Sequence, residues 1–240
     1  MKFKIFFALI ILVNICLWFY ARPIQARWEN VPPPPKNEYA AAAVGLGDRG
    51  LAYRISGLVL QNLGNVDGRT VKFEEYDYTE LEKWFLSTYA LDTQSNYIPT
   101  LAAYYYGSTQ NKEQLEHVID FLKIVGAKEQ QESWRWLVHG VFLARHKMND
   151  LDLALELSEM LKDHPDPNVP LWARHMEALV KNARGEKEDA YNIMVAILQS
   201  SSGDLQPTEV RFIVDYICQQ ILDESEAQTD PICQSNLQAP

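Results

Sequence analysis

The residues whose types and spacing could form a binding site lie in the second half of the chain, on a helix predicted over 132–147. Trp136, His139, Leu143 and His146 fall at i, i+3, i+7 and i+10, and residues at these spacings share one face of an α-helix. Indole and imidazole rings combine apolar contact area with a polar edge. The stripe predicts either a surface for a protein or peptide partner or an ordinary packing face in the core, and both interpretations stay open.

The neighbouring predicted helices carry similar stripes. The following helix presents Trp172, His175, Leu179 and Asn182, and the preceding helix presents Tyr97, Thr100 and Tyr104. If these stripes line one groove, that groove is aromatic and weakly polar. Four basic residues nearby either supply charge for an acidic peptide or simply face solvent: Arg135, Arg145, Arg174 and Lys181.

The histidines invite two further hypotheses. His139 and His175 would repel each other once protonated, which is the basis of a pH-responsive site. Together with His146 they could bind a metal, but no carboxylate or cysteine joins them at tight spacing. We therefore predict no metal site and no cofactor.

The chain has three cysteines, Cys16, Cys218 and Cys233, and no CxxC motif. In an oxidising compartment Cys218 and Cys233 could form a disulfide that ties the polar tail to the last helix. Closing a loop of about 15 residues contributes roughly 3 kcal/mol in the chain-entropy model. Alternatively, Cys218 is a small buried hydrophobe in an apolar run.

Composition and motifs argue against catalysis and against nucleic-acid binding. The formal net charge is −10, from 32 acidic and 22 basic residues, and no block of Lys and Arg supplies a footprint for phosphates. Nucleophile motifs such as GxSxG and phosphate-binding glycine loops are missing from the sequence. We predict that the protein is not an enzyme.

The N-terminus predicts membrane targeting. Lys2 and Lys4 precede an apolar run over 5–21, and seventeen residues at about 1.5 Å each give roughly 25 Å, the lower limit for crossing a hydrocarbon core. We predict that residues 1–27 form a single transmembrane anchor. The alternative is a signal peptide cleaved after Ile24-Gln25-Ala26. Either interpretation exports residues 28–240, which predicts a periplasm-facing domain at the inner membrane or, after cleavage, in the periplasm.

Four prolines, Pro32 to Pro35, follow the apolar run and favour extended polyproline II. We predict a stalk over 28–46, a helical domain over 47–224 and a polar tail over 225–240. The predicted helices run from Asp48 to Leu63, from a capping box at Thr79 to Leu91, and over 96–106, 111–125, 132–147, 151–162, 170–184, 187–199 and 208–223. The segment 65–77 is long for a loop between helices, which marks it as an insertion or a functional loop.

Within this domain the sequence repeats itself. Trp136 and His139 fall on Trp172 and His175 at an offset of 36, and Tyr97 falls on Trp136 at an offset of 39. Polar residues open each second helix, and small residues, Ala154 and Ala190, lie where the two helices of a pair meet and would allow them to approach closely.

This pattern resembles the tetratricopeptide repeat family, most clearly over 149–157 and 185–191. The period exceeds the family's 34 residues, Phe142 replaces a small residue within a first helix, and Leu115 occupies a close-approach position. The resemblance implies an all-α solenoid of helix-turn-helix units with a terminal capping helix, used to bind proteins or peptides.

The expectation is thus a membrane-anchored adaptor that scaffolds an envelope complex. A protein of a different class, an exported binding protein for a small molecule or a glycan, stays open as the alternative. Its pocket would be closed by the 64–78 loop.

Overall fold

The computed structural model describes residues 2–21, 33–63, 65–66, 69–130, 132–200 and 205–236. The chain divides into two compact units, residues 1–95 and 96–240. Regular structure in the described part is almost entirely helical, which confirms the all-α class. The predicted cleavage site, Ile24 to Ala26, and the first residues of the predicted stalk lie outside these ranges.

Among its described residues the first unit contains four helices: α1 (Lys2–Ala21), α2 (Glu38–Ala43), α3 (Arg49–Asn62) and α4 (Tyr78–Tyr89). Helices α2, α3 and α4 pack on one another. Between α3 and α4 two short strands, β1 (Asn65–Val66) and β2 (Arg69–Thr70), pair antiparallel, and a 3₁₀ turn follows over Phe73–Glu75.

Helix α1 covers the apolar run, and its large apolar side chains are exposed, from Ile5 at 63% to Tyr20 at 74%. Within the described ranges, no helix combines the length and the apolar character that a membrane crossing requires.

Side-chain caps explain where α3 and α4 begin. The Asp48 carboxylate accepts a hydrogen bond from the Leu51 amide at 2.8 Å, as predicted. Helix α4 is capped by Asp77, which accepts from the Glu80 amide at 3.1 Å. The predicted start at Thr79 was two residues late, because the residue that caps the helix is Asp77 and not Thr79.

The second unit contains ten helices within its described residues: α5 (Tyr97–Thr100), α6 (Lys112–Gly126), α7 (Trp134–Phe142), α8 (Leu151–Lys162), α9 (Leu171–Arg174), α10 (Met176–Arg184), α11 (Lys187–Ser200), α12 (Pro207–Tyr216), α13 (Glu224–Ala227) and α14 (Pro231–Asn236). Three π-helical segments directly follow α5, α7 and α12: Leu101–Tyr105, Leu143–Met148 and Ile217–Ile221. A 3₁₀ turn over Tyr106–Ser108 follows the first of them.

Helices that follow one another in the sequence also pack on one another: α6 on α7, α7 on α8 and α10 on α11. Helix α8 packs on α10 as well, with the short helix α9 between them in the sequence. Ala154 and Ala190 are completely buried. Two helices also approach closely at Gly126, where a Cβ atom would lie 2.8 Å from Cγ and 2.9 Å from the backbone N of Leu137. Glycine at this position lets the end of α6 meet α7.

Three predicted segments differ from the structure. The predicted stalk over 28–46 contains α2, which packs on α3 and α4. The helix predicted over 170–184 is broken at His175, which ends α9 and precedes α10 with φ −102° and ψ 9°. The predicted polar tail contains α13 and α14, and Cys233 on α14 lies in the core. These two helices were not predicted from the sequence, because most side chains of the segment are polar and few of them are buried.

Candidate functional site

The stripe predicted on the 132–147 helix is divided between core and surface. Trp136 and Leu143 are only 8% and 2% exposed, so the core interpretation holds for these two side chains. His139 is half-buried and His146 is exposed. Within this stripe the helix changes from α to π at Leu143, and a π turn holds more residues than an α turn.

A row of four rings lies on the surface of the second unit. We call Tyr104, His139, Phe142 and His146 the ring row. Its ring centroids are separated by 4.5 Å from Tyr104 to His139, 5.9 Å from His139 to Phe142 and 5.1 Å from Phe142 to His146. Tyr104 is 65% exposed and Phe142 49%, so two large rings that both contact His139 face solvent.

Phe142 was missed as a site residue because it was interpreted as a replaced small residue within the repeat. It lies at i+3 from His139 and i−4 from His146. This spacing makes the three side chains neighbours on one helix face, and it could have identified Phe142 from the sequence.

Backbone contacts hold His139 in the ring row. Its Nε2 lies 3.1 Å from the carbonyl oxygen of Ala103. Because a carbonyl can only accept, Nε2 carries the proton. Burial lowers the pKa of His139, the bond to Ala103 opposes this, and the nearby charge of Lys147 lowers it further. The neutral imidazole therefore dominates at neutral pH.

Tyr97 and Thr100, the other predicted residues of this region, lie on α5. Tyr97 is half-buried, and burial raises the pKa of its hydroxyl. Thr100 is exposed at the last position of the helix.

Trp172 and His175 lie at a second place, a cavity of about 350 Å³ between α9, α10, α11 and α12. Burial, and next the charge of Arg174, lowers the pKa of His175 to about 4. Trp172 is 47% exposed, and its ring meets that of Trp134 edge-on at 5.9 Å. The two predicted histidines thus lie at different places: His139 in the ring row and His175 in the lining of the cavity.

Asn182 has a structural role in the described part. Its side-chain amide donates to the Tyr216 hydroxyl at 3.0 Å and to the Gln220 carbonyl at 3.2 Å. These bonds join α10 to the end of α12.

Three of the four predicted basic contacts are engaged within the protein. Arg174 donates to the carbonyls of Lys162, His164 and Asp166 at 2.9, 3.2 and 2.7 Å. Lys181 pairs with Glu186 and Asp189, and Arg135 pairs with Glu132. Arg174 and Lys181 are thus engaged within the fold, whereas the Arg135–Glu132 pair lies on the surface with both side chains exposed.

A serine, a histidine and an aspartate also meet, in the buried group Ser133, His164 and Asp166. The Ser133 hydroxyl lies 3.3 Å from Nε2 of His164, and Nε2 lies 3.0 Å from the Gly126 carbonyl. Nε2 therefore carries the proton, while Nδ1 accepts from the Asp166 amide at 3.1 Å. A protonated Nε2 cannot take a proton from the serine, so this group joins loops rather than activating a nucleophile.

Among the described residues, no group of three or more His, Cys, Asp or Glu side chains is placed to hold a metal ion. A disulfide joins Cys218 to Cys233, with Cα atoms 5.7 Å apart. Cys233 packs against Ile217 and Ile221, and Tyr191 donates to the Asp230 carboxylate at 2.6 Å. These contacts attach the C-terminal helices to α11 and α12.

Comparison of the chain with protein-family models, with curated proteins and with solved structures finds no match.

Proposed function

We propose that this protein is an exported interaction adaptor, without catalytic activity, that binds a partner protein through the ring row. The observation that carries the proposal is the juxtaposition of the exposed Tyr104 and Phe142 rings with two imidazoles. Aromatic side chains that combine an apolar body with a polar edge are enriched at protein interfaces. The packing of successive helices supports the proposed tetratricopeptide-like solenoid, in which such a surface would extend from unit to unit.

The chemistry of the ring row favours a partner segment with apolar and basic side chains. A guanidinium group can stack on the exposed faces of Tyr104 and Phe142. The net charge of −10 attracts such a segment over a longer range. Burial keeps His139 neutral at physiological pH, so it adds no repulsion.

Two features support membrane attachment and export as part of this proposal. Lysines precede the apolar run of residues 5–21 at the N-terminus, as in membrane anchors and signal peptides. The Cys218–Cys233 disulfide is typical of an oxidising compartment such as the periplasm. Alkaline extraction of membranes and N-terminal sequencing of the mature protein would separate an anchored chain from a cleaved one.

Site-specific photo-crosslinking in the producing cell tests the ring row. A benzoylphenylalanine placed at Phe142 should capture a defined partner. The same residue placed at Ile124, which is 43% exposed on α6, serves as the matched control. Tyr104→Ala should reduce the capture at position 142 several-fold.

Identical products at positions 142 and 124 would show non-specific contact and contradict the proposal. So would capture at position 142 that Tyr104→Ala leaves unchanged. Equal thermal stability of the two crosslinker variants would establish that the comparison concerns binding and not folding.

A further inference from the structure

The cavity between α9, α10, α11 and α12 is a built feature of the second unit. Its volume of about 350 Å³ lies within the range of about 300–1,000 Å³ that small-molecule sites occupy. Met194 and Ile213 form its floor and are 1% and 5% exposed. Trp172 and Phe212 flank it and are 47% and 49% exposed. The cavity thus has a buried apolar floor and aromatic walls that solvent reaches.

Both aromatic walls are held in place before any ligand arrives. The Trp172 ring meets Trp134 at 5.9 Å, and the Phe212 ring stacks on Tyr216 at 6.0 Å. Because fixed rings lose little conformational entropy on binding, this arrangement favours affinity.

Few polar groups line the cavity. Among the described lining residues these are the side chains of His175, Thr208 and Glu209 and the indole N–H of Trp172, and none is a lysine or arginine. The Glu209 carboxylate accepts a hydrogen bond from the backbone N–H of Gln206 at 3.1 Å, and its negative charge disfavours an anion. Burial keeps His175 neutral, so its imidazole has one donor, one acceptor and no charge.

We propose that this cavity binds an uncharged, largely apolar small molecule that carries one aromatic ring system and one hydroxyl or carbonyl group, the polar group meeting His175. An anion would lose its hydration among apolar walls and meet the Glu209 carboxylate, and a cation would exchange its whole hydration shell for that one carboxylate. The site is separate from the ring row, and this inference does not depend on the adaptor function.

Methyl NMR of the full-length protein, with ¹³C-labelled methionine, tests the proposal. The chain has five methionines. Met194 lines the cavity, whereas Met148 is buried outside the residues that line it. Titration with 2-naphthalenemethanol should shift the Met194 signal saturably and leave Met148 unchanged. This reporter excludes binding to the apolar α1 helix, which contains no methionine.

Two charged relatives of the probe, 2-naphthoate and 2-naphthylmethylammonium, should bind at least about tenfold more weakly because a charge is costly to bury. Thr208→Trp should fill the cavity and abolish the Met194 shift. Arg211→Trp, on the same helix with a side chain 82% exposed, should leave the shift intact.

An unchanged Met194 signal with the neutral probe overturns the proposal. Equal or tighter binding of either charged probe also overturns it, as does a Met194 shift that persists in Thr208→Trp. Phe142→Ala should not alter the response, which separates failure of this site from failure of the ring row.

Discussion

The rings of Tyr104 and His139 lie 4.5 Å apart between centroids and are tilted by 51°. The residue before Tyr104 is Ala103, whose carbonyl accepts from the same imidazole. Two consecutive residues of one π-helical segment thus fix a histidine on α7. The arrangement of the ring row depends on these contacts between the π-helical segment and α7.

Replacing Tyr104 with alanine should expose the His139 imidazole to water. Because burial is the main cause of its lowered pKa, the pKa of His139 should rise toward about 6.5. The loss of the ring contact should cost about 0.5–1.5 kcal/mol of stability. An NMR titration of the imidazole signals measures the first effect. Tyr104→Phe, which keeps the ring, should leave the pKa low, and an equal rise in both variants would contradict this account.

Gly126 and Gly140 offer a matched test of helix packing. A Cβ at Gly126 would meet the backbone N of Leu137 at 2.9 Å, whereas one at Gly140 would meet only the flexible end of Leu157, at 3.2 Å. Gly126→Ala should therefore destabilise the protein by about 1–3 kcal/mol through overpacking. In Gly140→Ala, a gain of about 1 kcal/mol in helix propensity should offset the contact. Urea unfolding compares the two, and equal losses would refute the close approach of α6 and α7.

His164 should be essential for stability. Its side chain is 4% exposed and bonds both the Gly126 carbonyl and the Asp166 amide. His164→Ala leaves these groups unsatisfied and should cost about 2–4 kcal/mol. His146→Ala, at an exposed position, should stay within about 0.5 kcal/mol. Chemical unfolding provides the measurement, and a small effect at His164 would argue against the loop-joining role.

Removal of the disulfide should loosen the C-terminal helices. The bridge spans a sequence separation of 15 residues, so Cys218→Ser with Cys233→Ser should cost roughly 3 kcal/mol. Hydrogen exchange should accelerate most in α13 and α14, while α6 and α7 should change little. Cys16→Ser, at an exposed free cysteine, is the control. Uniform acceleration across the second unit would show that the bridge stabilises more than the C-terminal segment.

Acid should weaken folding through His175. Its pKa is about 4 in the folded protein and about 6.5 when unfolded. Above about pH 6.5 both states are neutral, so His175 makes no pH-dependent difference. As the pH falls from 6.5 toward 4, only the unfolded state binds the proton, and the folded state loses stability.

The loss should reach about 1–2 kcal/mol near pH 4, below the full value of the shift because the imidazole is only partly buried. His175→Gln does not titrate, so the difference in unfolding free energy between wild type and variant should be constant above pH 7 and change below 6.5. A constant difference down to pH 4 would contradict the lowered pKa. Glu209, which lines the same cavity, is present in both proteins.

Helix positions were largely predictable from the sequence, because caps and periodicity are local signals. The predicted 151–162 helix coincides with α8, which begins after the Asp150 cap. Which face of a helix becomes core was less predictable, since burial depends on neighbours. Trp136 and Phe142 illustrate this: the indole is buried and the phenyl ring is half exposed.

The site was predictable only in part. Tyr104, His139 and His146 lie together in the ring row, whereas Trp172 and His175 line the cavity. The break at His175 could not be foreseen, since no proline or glycine marks it. Helix α12 lines the cavity through contacts with residues distant in the sequence. The periodicity within one helix carries no information about such contacts.

The π-helical segments also have a consequence for alignment. A π turn accommodates one more residue than the α turn it replaces. A relative with a regular helix at Leu143–Met148 would therefore match this chain only with a one-residue gap inside the helix. Without that gap, His146 and the residues after it would be paired one position out of register. The same holds for the other two π-helical segments, Leu101–Tyr105 and Ile217–Ile221.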